Sequence, residues 1–282
     1  MCEHCGCDSS PEVTSTNLQT GRLIRLSHHS HEHVHADGTR HAHHGEHAPH
    51  EHGAEGHGLA HEVELKARVL GKNDVLASSN RAWLAERHAF AVNLMSGPGA
   101  GKTTLLERTI QDLRGDLPLY VIEGDQATSN DAERIGRAGA DVVQVNTGTG
   151  CHLDAHMVGH GLAELSPRKG SMIFIENVGN LVCPALFDLG EKRRVAILST
   201  TEGEDKPLKY PYMFKETDLV LLNKVDLLPY LDFSADQAIK NARAINPDVK
   251  VLPVSARTGE GLSDWYAWLR HELSMVAAAE TA

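Results

Sequence analysis

The chain has 282 residues and a formal net charge of −11, and this length suits one large α/β domain with an additional segment. Hydrophobic residues make up 41% of the sequence, which is enough for a substantial core. The acidic balance disfavours general nucleic-acid binding, which needs a cationic surface. Apolar runs fall short of the ~20 residues of a membrane span, and the cysteine-rich start is not typical of a signal peptide. We therefore expect a cytoplasmic protein without nucleic-acid or membrane partners.

The first seven residues contain three cysteines, Cys2, Cys5 and Cys7. In a reducing compartment, clustered thiols are typical of metal ligands rather than disulfides, and Gly6 lets the backbone turn around one ion. His4 or the terminal amine can supply a fourth donor, and the sequence does not choose between them. We predict a metal-binding segment and linker over residues 1–27, with idle thiols on a disordered tail as the alternative.

Residues 28–61 hold thirteen of the nineteen histidines. Such a tract has too little apolar surface to fold, so we predict a flexible arm. Imidazole at this density suits Ni²⁺, Cu²⁺, Zn²⁺ or Co²⁺, which favours metal storage over a pH-responsive solubilising tail. Over residues 62–88, apolar side chains recur loosely at helical spacing. They predict one or two helices, broken near Gly71, that lead into a domain over residues 89–282.

A glycine-rich stretch, residues 96–104 (SGPGAGKTT), lies between a predicted strand and a predicted helix. In this context backbone N–H groups converge on phosphate oxygens, and the helix N-terminus adds the positive end of its dipole. Lys102 would reach the terminal phosphates, and the Thr103 hydroxyl would hold Mg²⁺. Ser96 replaces the usual first glycine, but the flanks favour a phosphate-binding loop over a chance turn. The predicted phosphate-binding residues are Gly97, Gly99, Ala100, Gly101, Lys102, Thr103 and Thr104.

Apolar strands alternate with helical stretches through the rest of the chain. The seven strand candidates are residues 90–95, 119–123, 142–145, 172–176, 195–200, 219–222 and 250–254. They favour a largely parallel sheet covered by helices on both faces, with ligands across the carboxyl ends of the strands. The predicted fold is therefore an α/β P-loop NTPase, preceded by a flexible metal-binding N-terminal arm.

The predicted strand over residues 219–222 is followed by an Asn-Lys-x-Asp sequence that indicates guanine recognition. The Asp226 carboxylate can accept hydrogen bonds from guanine N1–H and the exocyclic amine, which adenine cannot donate. Asn223 would brace the loop, and the Lys224 stem would lie over the ring. A later strand end carries the two residues whose turn fits guanine O6, Ser255 and Ala256. After a phosphate-binding loop, this order predicts GTP as the nucleotide.

Two acidic strand ends face the predicted phosphates. We predict that Asp125 holds Mg²⁺ or positions the attacking water. Glu176 precedes Gly179 at an acid-x-x-Gly spacing, which would let the Gly179 N–H sense the γ-phosphate. Because phosphoryl transfer depends on positioning and charge neutralisation, Lys102 and Asp125 are the predicted catalytic residues. A helix cap is the alternative role for such an acid, above all for Asp131.

The remaining cysteines lie close to these strand ends. Cys151 and His152 follow the third predicted strand, and Cys183 lies four residues after Gly179. Neighbouring strand ends can bring them together as a nickel or zinc site, with one position open or completed by a second subunit. Cysteines that only pack in the core are the alternative. The adjacency of Cys151 to His152, and of Cys183 to a nucleotide-sensing segment, favours the metal site.

Together, these motifs resemble the HypB-type GTPases that insert nickel into [NiFe]-hydrogenases. The resemblance covers residues 2–7 and 85–275, and its most specific parts are residues 146–154 (NTGTGCHLD) and 176–184 (ENVGNLVCP). It implies a GTP-hydrolysing nickel metallochaperone with a tight thiolate site at the start and a weaker Cys/His/Cys site in the GTPase domain. It also implies a nucleotide-dependent homodimer, a HypA-type accessory protein and a hydrogenase large-subunit precursor as partners. Histidine-rich arms in this family look like nickel stores.

Three alternatives stay open at this stage. A urease-type nickel-insertion GTPase would carry a Cys-Pro-His triplet, which is absent here, and would not carry the opening thiol cluster. A nickel or zinc storage protein with a passive GTPase domain is disfavoured by the intact Lys102, Thr103 and Asp226. A zinc-delivery GTPase is compatible with the ligand types, because Cys/His sites bind Zn²⁺ readily.

Overall fold

The structure, a computed structural model, describes residues 13–26, 32–34, 40–42, 58–126 and 129–278. The predicted thiol site at Cys2, Cys5 and Cys7 lies outside the described residues, as does most of the histidine-rich arm. Within the described ranges, every helix is too short or too polar to cross a bilayer.

Strands and helices alternate through most of the described chain. The strands are β1 (Val13–Asn17), β2 (Leu23–Leu26), β3 (Glu32–Val34), β4 (Arg40–Ala42), β5 (Phe90–Ser96), β6 (Leu119–Asp125), β7 (Asp141–Asn146), β8 (Met172–Glu176), β9 (Arg193–Ser199), β10 (Leu219–Asn223) and β11 (Lys250–Pro253). The α-helices are α1 (Gly58–Glu86), α2 (Lys102–Leu113), α3 (Asn130–Ala138), α4 (Ala155–Leu165), α5 (Lys206–Lys209), α6 (Pro211–Lys215), α7 (Ala235–Ile245) and α8 (Leu262–Ala278). Short 3₁₀ helices cover Cys183–Ala185 and Val225–Tyr230.

One nine-stranded sheet, in the order β11-β10-β9-β5-β8-β6-β7-β1-β2, forms the centre of the fold. The seven strands from β5 to β11 are mutually parallel, which confirms the seven strands predicted from the sequence. The strands β3 and β4 pair separately as an antiparallel ribbon inside the predicted arm, where the sequence predicted no strand.

The antiparallel hairpin formed by β1 and β2 lies in a part of the chain, residues 13–26, that the sequence predicted to be a linker. In β1, which reads VTSTN, burial alternates from residue to residue, as in an edge strand with one covered face. The Asn17 side chain closes the hairpin turn, accepting hydrogen bonds from the Gln19 and Thr20 N–H groups at 3.0 Å each. A strand with so few apolar residues leaves little signal in the sequence, so pairing with β7 decides its structure.

Helix α1 is continuous, whereas the sequence suggested a break near Gly71. Tertiary contacts of two asparagines hold it in place. The Asn73 side chain donates to the Asp188 carbonyl at 2.7 Å and accepts from the Ala155 N–H at 2.9 Å. About two helical turns further along, Asn80 donates to the Ala155 carbonyl at 2.8 Å. A glycine inside a helix lowers its stability by only about 1 kcal/mol relative to alanine, so such contacts are enough to keep the helix intact.

Helices cover both faces of the sheet, as predicted. On one face, helices α2, α3 and α8 pack against alternate residues of the strands, and Trp265 and Ile110 are among the fully buried side chains. On the other face, α1 and α4 pack over one half of the sheet, and α6 and α7 pack over the other half. The central strands β5 and β8 are buried along their whole length. Their carboxyl ends, and those of β6 and β10, therefore open into loops at one edge of a rigid sheet.

Candidate functional site: a phosphate cavity beside a cysteine–histidine cluster

A cavity of about 410 Å³ lies at the carboxyl ends of the parallel strands. Its wall is formed by residues 96–104, 123–125, 131, 134, 176, 179 and 224. The structure thus brings together every residue predicted to bind phosphate, along with Asp125, Gly179 and Lys224. The cavity lies at the N-terminus of α2, where backbone N–H groups and the helix dipole favour anionic ligands.

The glycine-rich loop between β5 and α2 depends on two left-handed backbone positions. Gly99 has φ +75° and Gly101 has φ +92°. A Cβ on Gly101 would lie 2.7 Å from the Asn223 Nδ2 atom, so a side chain there would push the base-recognition loop away. Ser96 needs no such conformation, and its hydroxyl donates to the Gly97 carbonyl at 2.8 Å. This explains how serine substitutes for the usual first glycine.

The predicted guanine-recognition residues converge on the same loop. Asn223 is buried, donates to the Ala100 carbonyl at 3.0 Å and accepts from the Ala256 N–H at 3.2 Å. The Lys224 ammonium donates to the Gly99 carbonyl at 2.7 Å. The Ser255 hydroxyl donates to Asp226 Oδ1 at 2.6 Å, which fixes the carboxylate orientation. Three segments distant in sequence are therefore linked by side-chain hydrogen bonds.

The Thr103 hydroxyl contacts two acids that the sequence had not assigned to Mg²⁺. The Thr103 hydroxyl lies 2.6 Å from Glu176 Oε1 and 3.1 Å from Asp131 Oδ2. Lys102 Nζ lies 3.4 Å from the same Glu176 oxygen. Asp125 lies in the cavity wall, where its Oδ1 accepts from the Gln126 N–H at 2.7 Å. A helix cap was the alternative role considered for Asp131, and the fold puts its side chain beside the phosphate loop.

Two buried carboxyl groups on neighbouring strands line the cavity. Glu123 on β6 lies in register with Glu176 on β8, and each side chain is 2% exposed. Burial and, next, the charge of Glu176 raise the pKa of Glu123 to about 9. Within the described chain, the Oε2 atoms of both residues have no hydrogen-bond partner. Buried carboxylate oxygens next to a threonine hydroxyl are the hard oxygen donors that Mg²⁺ prefers, so this donor set fits the ion.

A second site lies beside the cavity and contains the predicted Cys/His/Cys set. The ligand atoms of Cys151, His152 and Cys183 all lie within 4.8 Å of one another, and all three residues are half-buried. Cys151 Sγ is 3.7 Å from His152 Nδ1, and the His152 ring stacks on Phe187 with a centroid distance of 4.0 Å. Burial lowers the pKa of His152, which favours the neutral imidazole that binds metals. The three groups can therefore share one soft or borderline ion.

The chain is similar to known proteins over the region that carries both of these residue clusters. The family model of the CobW/HypB/UreG nucleotide-binding domain matches residues 91–253. The hydrogenase maturation factor HypB of Azotobacter vinelandii is 59% identical over 210 residues, which are 74% of this chain and 69% of the relative. HypB of Escherichia coli (strain K12) is 55% identical over 207 residues, 73% of this chain and 71% of the relative. This chain belongs to the HypB family of hydrogenase maturation factors.

Solved HypB structures share its fold. HypB from Archaeoglobus fulgidus superposes with a TM-score of 0.68 at 40% identity, covering 72% of this chain and all of the other. HypB from Helicobacter pylori, solved in complex with nickel, gives the same TM-score at 34% identity, covering 72% of this chain and 96% of the other. The P-loop NTPase fold predicted from the sequence is thereby confirmed.

In this HypB-family chain, two asparagines join the phosphate cavity to the cysteine–histidine cluster. Asn177 is fully buried, and its Oδ1 accepts from the N–H groups of Leu153 and Val178 at 3.0 Å each. Asn180 Oδ1 accepts from the Val182 N–H at 2.8 Å and the Cys183 N–H at 3.4 Å. One asparagine holds the residue after His152, and the other holds the backbone of Cys183. Both residues belong to the motif over residues 176–184, and the sequence alone indicated no role for them.

A pair of histidines on α4 was also missed. His156 and His160 lie one turn apart, with their Nε2 atoms 3.2 Å from each other. The signal in the sequence was the His-x₃-His spacing, which places both rings on one helix face. The pair follows His152 closely in the chain, so further imidazole donors lie on the helix that begins after the cluster.

Proposed function

We propose that this HypB-family chain hydrolyses GTP and uses the nucleotide state to control delivery of nickel during [NiFe]-hydrogenase maturation. The observation that carries the proposal is the short segment from Glu176 to Cys183. Its first residue contacts Thr103 and Lys102, and its last residue belongs to the Cys/His/Cys cluster. Family membership supports the hydrogenase pathway, and the nickel complex of the Helicobacter pylori relative supports the metal.

In the proposed reaction, the chain positions the triphosphate and neutralises its charge. Backbone N–H groups of the loop would hold the phosphate oxygens, and Lys102 would lie against the terminal phosphate. Thr103, Glu176 and Asp131 would hold Mg²⁺, which supplies further charge neutralisation when it is bound. Asp125 keeps its proposed role of positioning water from the cavity wall. Asp226 would select guanine, with Ser255 holding its carboxylate in place.

We also infer the location and the partners of the protein. We place the protein in the cytoplasm, with a HypA-type accessory protein and the hydrogenase large-subunit precursor as partners. A three-ligand cluster leaves a coordination position that a second chain can complete. This supports a homodimer, and we propose that its formation depends on nucleotide.

The Mg²⁺ assignment is tested by replacing the three acids one at a time. Glu176→Gln and Asp131→Asn should raise the Mg²⁺ concentration for half-maximal GTP turnover by roughly tenfold or more, as loss of a ligand or its support typically does. Asp125→Asn should lower turnover while the Mg²⁺ dependence stays near that of the wild type. The measurement is phosphate release as a function of Mg²⁺ concentration.

Glu133→Gln is the matched control, because Glu133 lies on the same helix as Asp131 but is exposed. It should behave like the wild type. A shifted Mg²⁺ dependence in Asp125→Asn, with none in Glu176→Gln, would restore the assignment made from the sequence.

Coupling between metal and nucleotide tests the proposed function as a whole. Ni²⁺ is titrated into a variant without residues 28–57 and with Cys2, Cys5 and Cys7 changed to alanine, so that the cluster dominates binding. Affinity in the presence of GDP should differ from affinity with a non-hydrolysable GTP analogue by roughly five- to 150-fold, corresponding to a coupling of about 1–3 kcal/mol. The reason is that a nucleotide-dependent shift of the segment before Cys183 changes the fit of its thiolate.

Reciprocity provides an internal check, because nickel must change nucleotide affinity by the same factor. In this background Cys183→Ala should remove the coupling and keep GTP hydrolysis. Equal Ni²⁺ affinities in both nucleotide states, at matched dimerisation, would make the cluster a static site and reject the proposed delivery mechanism. A parallel titration that measures Zn²⁺ affinity in both nucleotide states tests the zinc-delivery alternative.

A further inference from the structure

The central strand β5 carries a buried polar side chain in the middle of its apolar run. Asn93 is fully buried, and in the sheet register it lies opposite Ile175 of β8 and Arg194 of β9. Because side chains alternate between the two faces of a strand, Asn93 shares its face with Ala91 and Met95. These two residues belong to the two apolar clusters on that face of the sheet. Asn93 therefore lies between the clusters, where only hydrogen bonds can offset the burial of its amide.

Through Asn177, Asn93 fixes the loop over residues 151–153, which carries the first two ligands of the metal cluster. Asn93 Oδ1 accepts from Asn177 Nδ2 at 3.3 Å, so Asn177 Oδ1 points the other way and accepts from the Leu153 N–H at 3.0 Å. A rotated Asn177 amide would turn its NH₂ group toward the Leu153 N–H and leave both donors unpaired. Leu153, the residue after His152, is itself fully buried. The backbone next to His152 therefore depends on the orientation of the Asn177 amide, which Asn93 sets.

A buried ion pair is the second partner of Asn93. Asn93 Nδ2 donates to Glu191 Oε1 at 3.2 Å, and the Arg194 Nε–H donates to the same oxygen at 2.7 Å. The Glu191 side chain is 2% exposed and that of Arg194 is 17% exposed. Because two donors share Oε1, the carboxylate keeps one orientation and presents Oε2 to the segment that follows Cys183.

The ion pair holds that segment at three backbone groups. Glu191 Oε2 accepts from the Leu189 N–H at 2.7 Å. The guanidinium of Arg194 donates to the carbonyl groups of Ala185 and Phe187 at 3.4 Å and 3.5 Å. The position of the Phe187 ring is therefore set by the same pair of side chains that Asn93 contacts.

Both branches of this hydrogen-bond network end at the His152 imidazole. The Phe187 ring stacks on it with a centroid distance of 4.0 Å and an interplanar angle of 25°. The Leu153 N–H, bound to Asn177, fixes the backbone next to it. Asn93 lies outside the wall of the nucleotide cavity and is not one of the three clustered ligands, so it acts on the metal cluster through these neighbours.

We propose that Asn93 is a positioning residue of the metal cluster, which fixes the Asn177 amide on one branch and the ion pair of Glu191 and Arg194 on the other. The inference rests on the proposed function, because it needs the cluster to bind nickel. The His152 ring is then oriented before a metal ion arrives, so binding has little further ordering to do. Removing such support from a metal ligand typically lowers metal affinity roughly 10- to 100-fold.

Asn93→Leu tests the proposal, because leucine is close to asparagine in shape but can neither donate nor accept a hydrogen bond. The background is the variant without residues 28–57 and with Cys2, Cys5 and Cys7 changed to alanine. In it, the Ni²⁺ dissociation constant should rise roughly tenfold or more. The thiolate-to-nickel absorption band should also shift, because the imidazole takes another orientation, whereas a loss of stability alone would not move the band of the bound form. Ni²⁺ titrations followed by absorption measure both quantities.

Thr109→Val is the matched control on the opposite face of the sheet. The Thr109 hydroxyl is buried, donates to the Leu105 carbonyl at 2.8 Å and accepts from the Trp265 Nε1–H at 3.0 Å. Its loss removes buried hydrogen bonds, but the Ni²⁺ affinity and the absorption band should stay at the wild-type values. Asn93→Ser, whose hydroxyl cannot reach both partners, is the second test variant if Asn93→Leu does not fold. A Ni²⁺ affinity within about twofold of the wild type in the folded Asn93 variant would overturn the proposal.

A double variant tests the branch through the ion pair. Phe187→Leu removes the ring that stacks on His152 and should weaken Ni²⁺ binding by itself. Combined with Asn93→Leu, it should weaken binding by less than the product of the two separate factors, because residues in one network are not independent. A factor equal to the product would mean that Asn93 does not act through Phe187 and would overturn the proposal as stated.

Amide hydrogen exchange of the full chain without metal separates this inference from the proposed function. In Asn93→Leu, the Leu153 N–H should exchange roughly fivefold faster or more, relative to amides of α8 that report global unfolding, as expected for the loss of about one net hydrogen bond. An unchanged relative rate at Leu153 would overturn the positioning role. If Leu153 exchanges faster while the cluster of the wild type binds no Ni²⁺, the proposed function fails and Asn93 still fixes the loop over residues 151–153.

Discussion

GTP turnover should fall by roughly 10²–10³-fold or more when Lys102 is replaced by alanine, the loss typical of removing a group that stabilises transition-state charge. Lys102 is the first residue of α2, its side chain is 10% exposed, and its Nζ lies 3.4 Å from Glu176 Oε1. It is therefore a fixed cation in a cavity whose wall also holds the acids Glu176, Asp125 and Asp131. Without it, the γ-phosphate would meet these acids with less compensating charge. Phosphate release at saturating Mg²⁺ and GTP measures the effect.

The matched control for this prediction is Lys240→Ala, because Lys240 is an exposed lysine on α7. Its turnover should equal that of the wild type. Melting temperatures of both variants separate a lost catalytic charge from a damaged fold. Turnover of Lys102→Ala within about threefold of the wild type would mean that another group supplies the charge.

The features whose placement was predicted correctly are mostly those that a short stretch of sequence determines. The loop over residues 96–104 needs glycines at positions where the backbone is left-handed, and this requirement is visible in the sequence alone. The seven parallel strands are continuous apolar runs, because both faces of a central strand are buried. The Cys151, His152 and Cys183 cluster followed from one rule, that strand ends of a parallel sheet meet at one edge.

What the sequence analysis missed depends on contacts between distant segments. The hairpin strand VTSTN has no apolar run, and its pairing with β7 is what makes it a strand. Asp131 lies 28 residues from Thr103, and no spacing rule links the two before the fold brings them to 3.1 Å. The exposed Gly71 would break an isolated helix more easily than α1, which the Asn73 and Asn80 side chains tie to neighbouring elements.

Asp226→Asn should convert guanine preference into xanthine preference. An asparagine amide keeps one acceptor oxygen but replaces the other with an NH₂ donor, which faces a guanine N–H donor and leaves both unpaired, whereas the C2 carbonyl of xanthine can accept from the amide. Sites built on such hydrogen bonds discriminate strongly, so we expect kcat/KM for GTP to fall roughly 100-fold or more, chiefly through KM. Activity with XTP should rise above that with GTP.

The contact between Ser255 and Asp226 allows a second test of this prediction. The Ser255 hydroxyl donates to Asp226 Oδ1 at 2.6 Å, and in Asp226→Asn it would donate to the amide oxygen, which turns the amide nitrogen toward the base. Adding Ser255→Ala to Asp226→Asn should therefore weaken the gain with XTP, because the amide can then rotate. Asp232→Asn, an exposed acid of the same region, is the matched control and should leave GTP kinetics unchanged. Hydrolysis of GTP, XTP and ATP is compared for each variant, and wild-type protein that turns over ATP as fast as GTP would refute the guanine-specific role of Asp226.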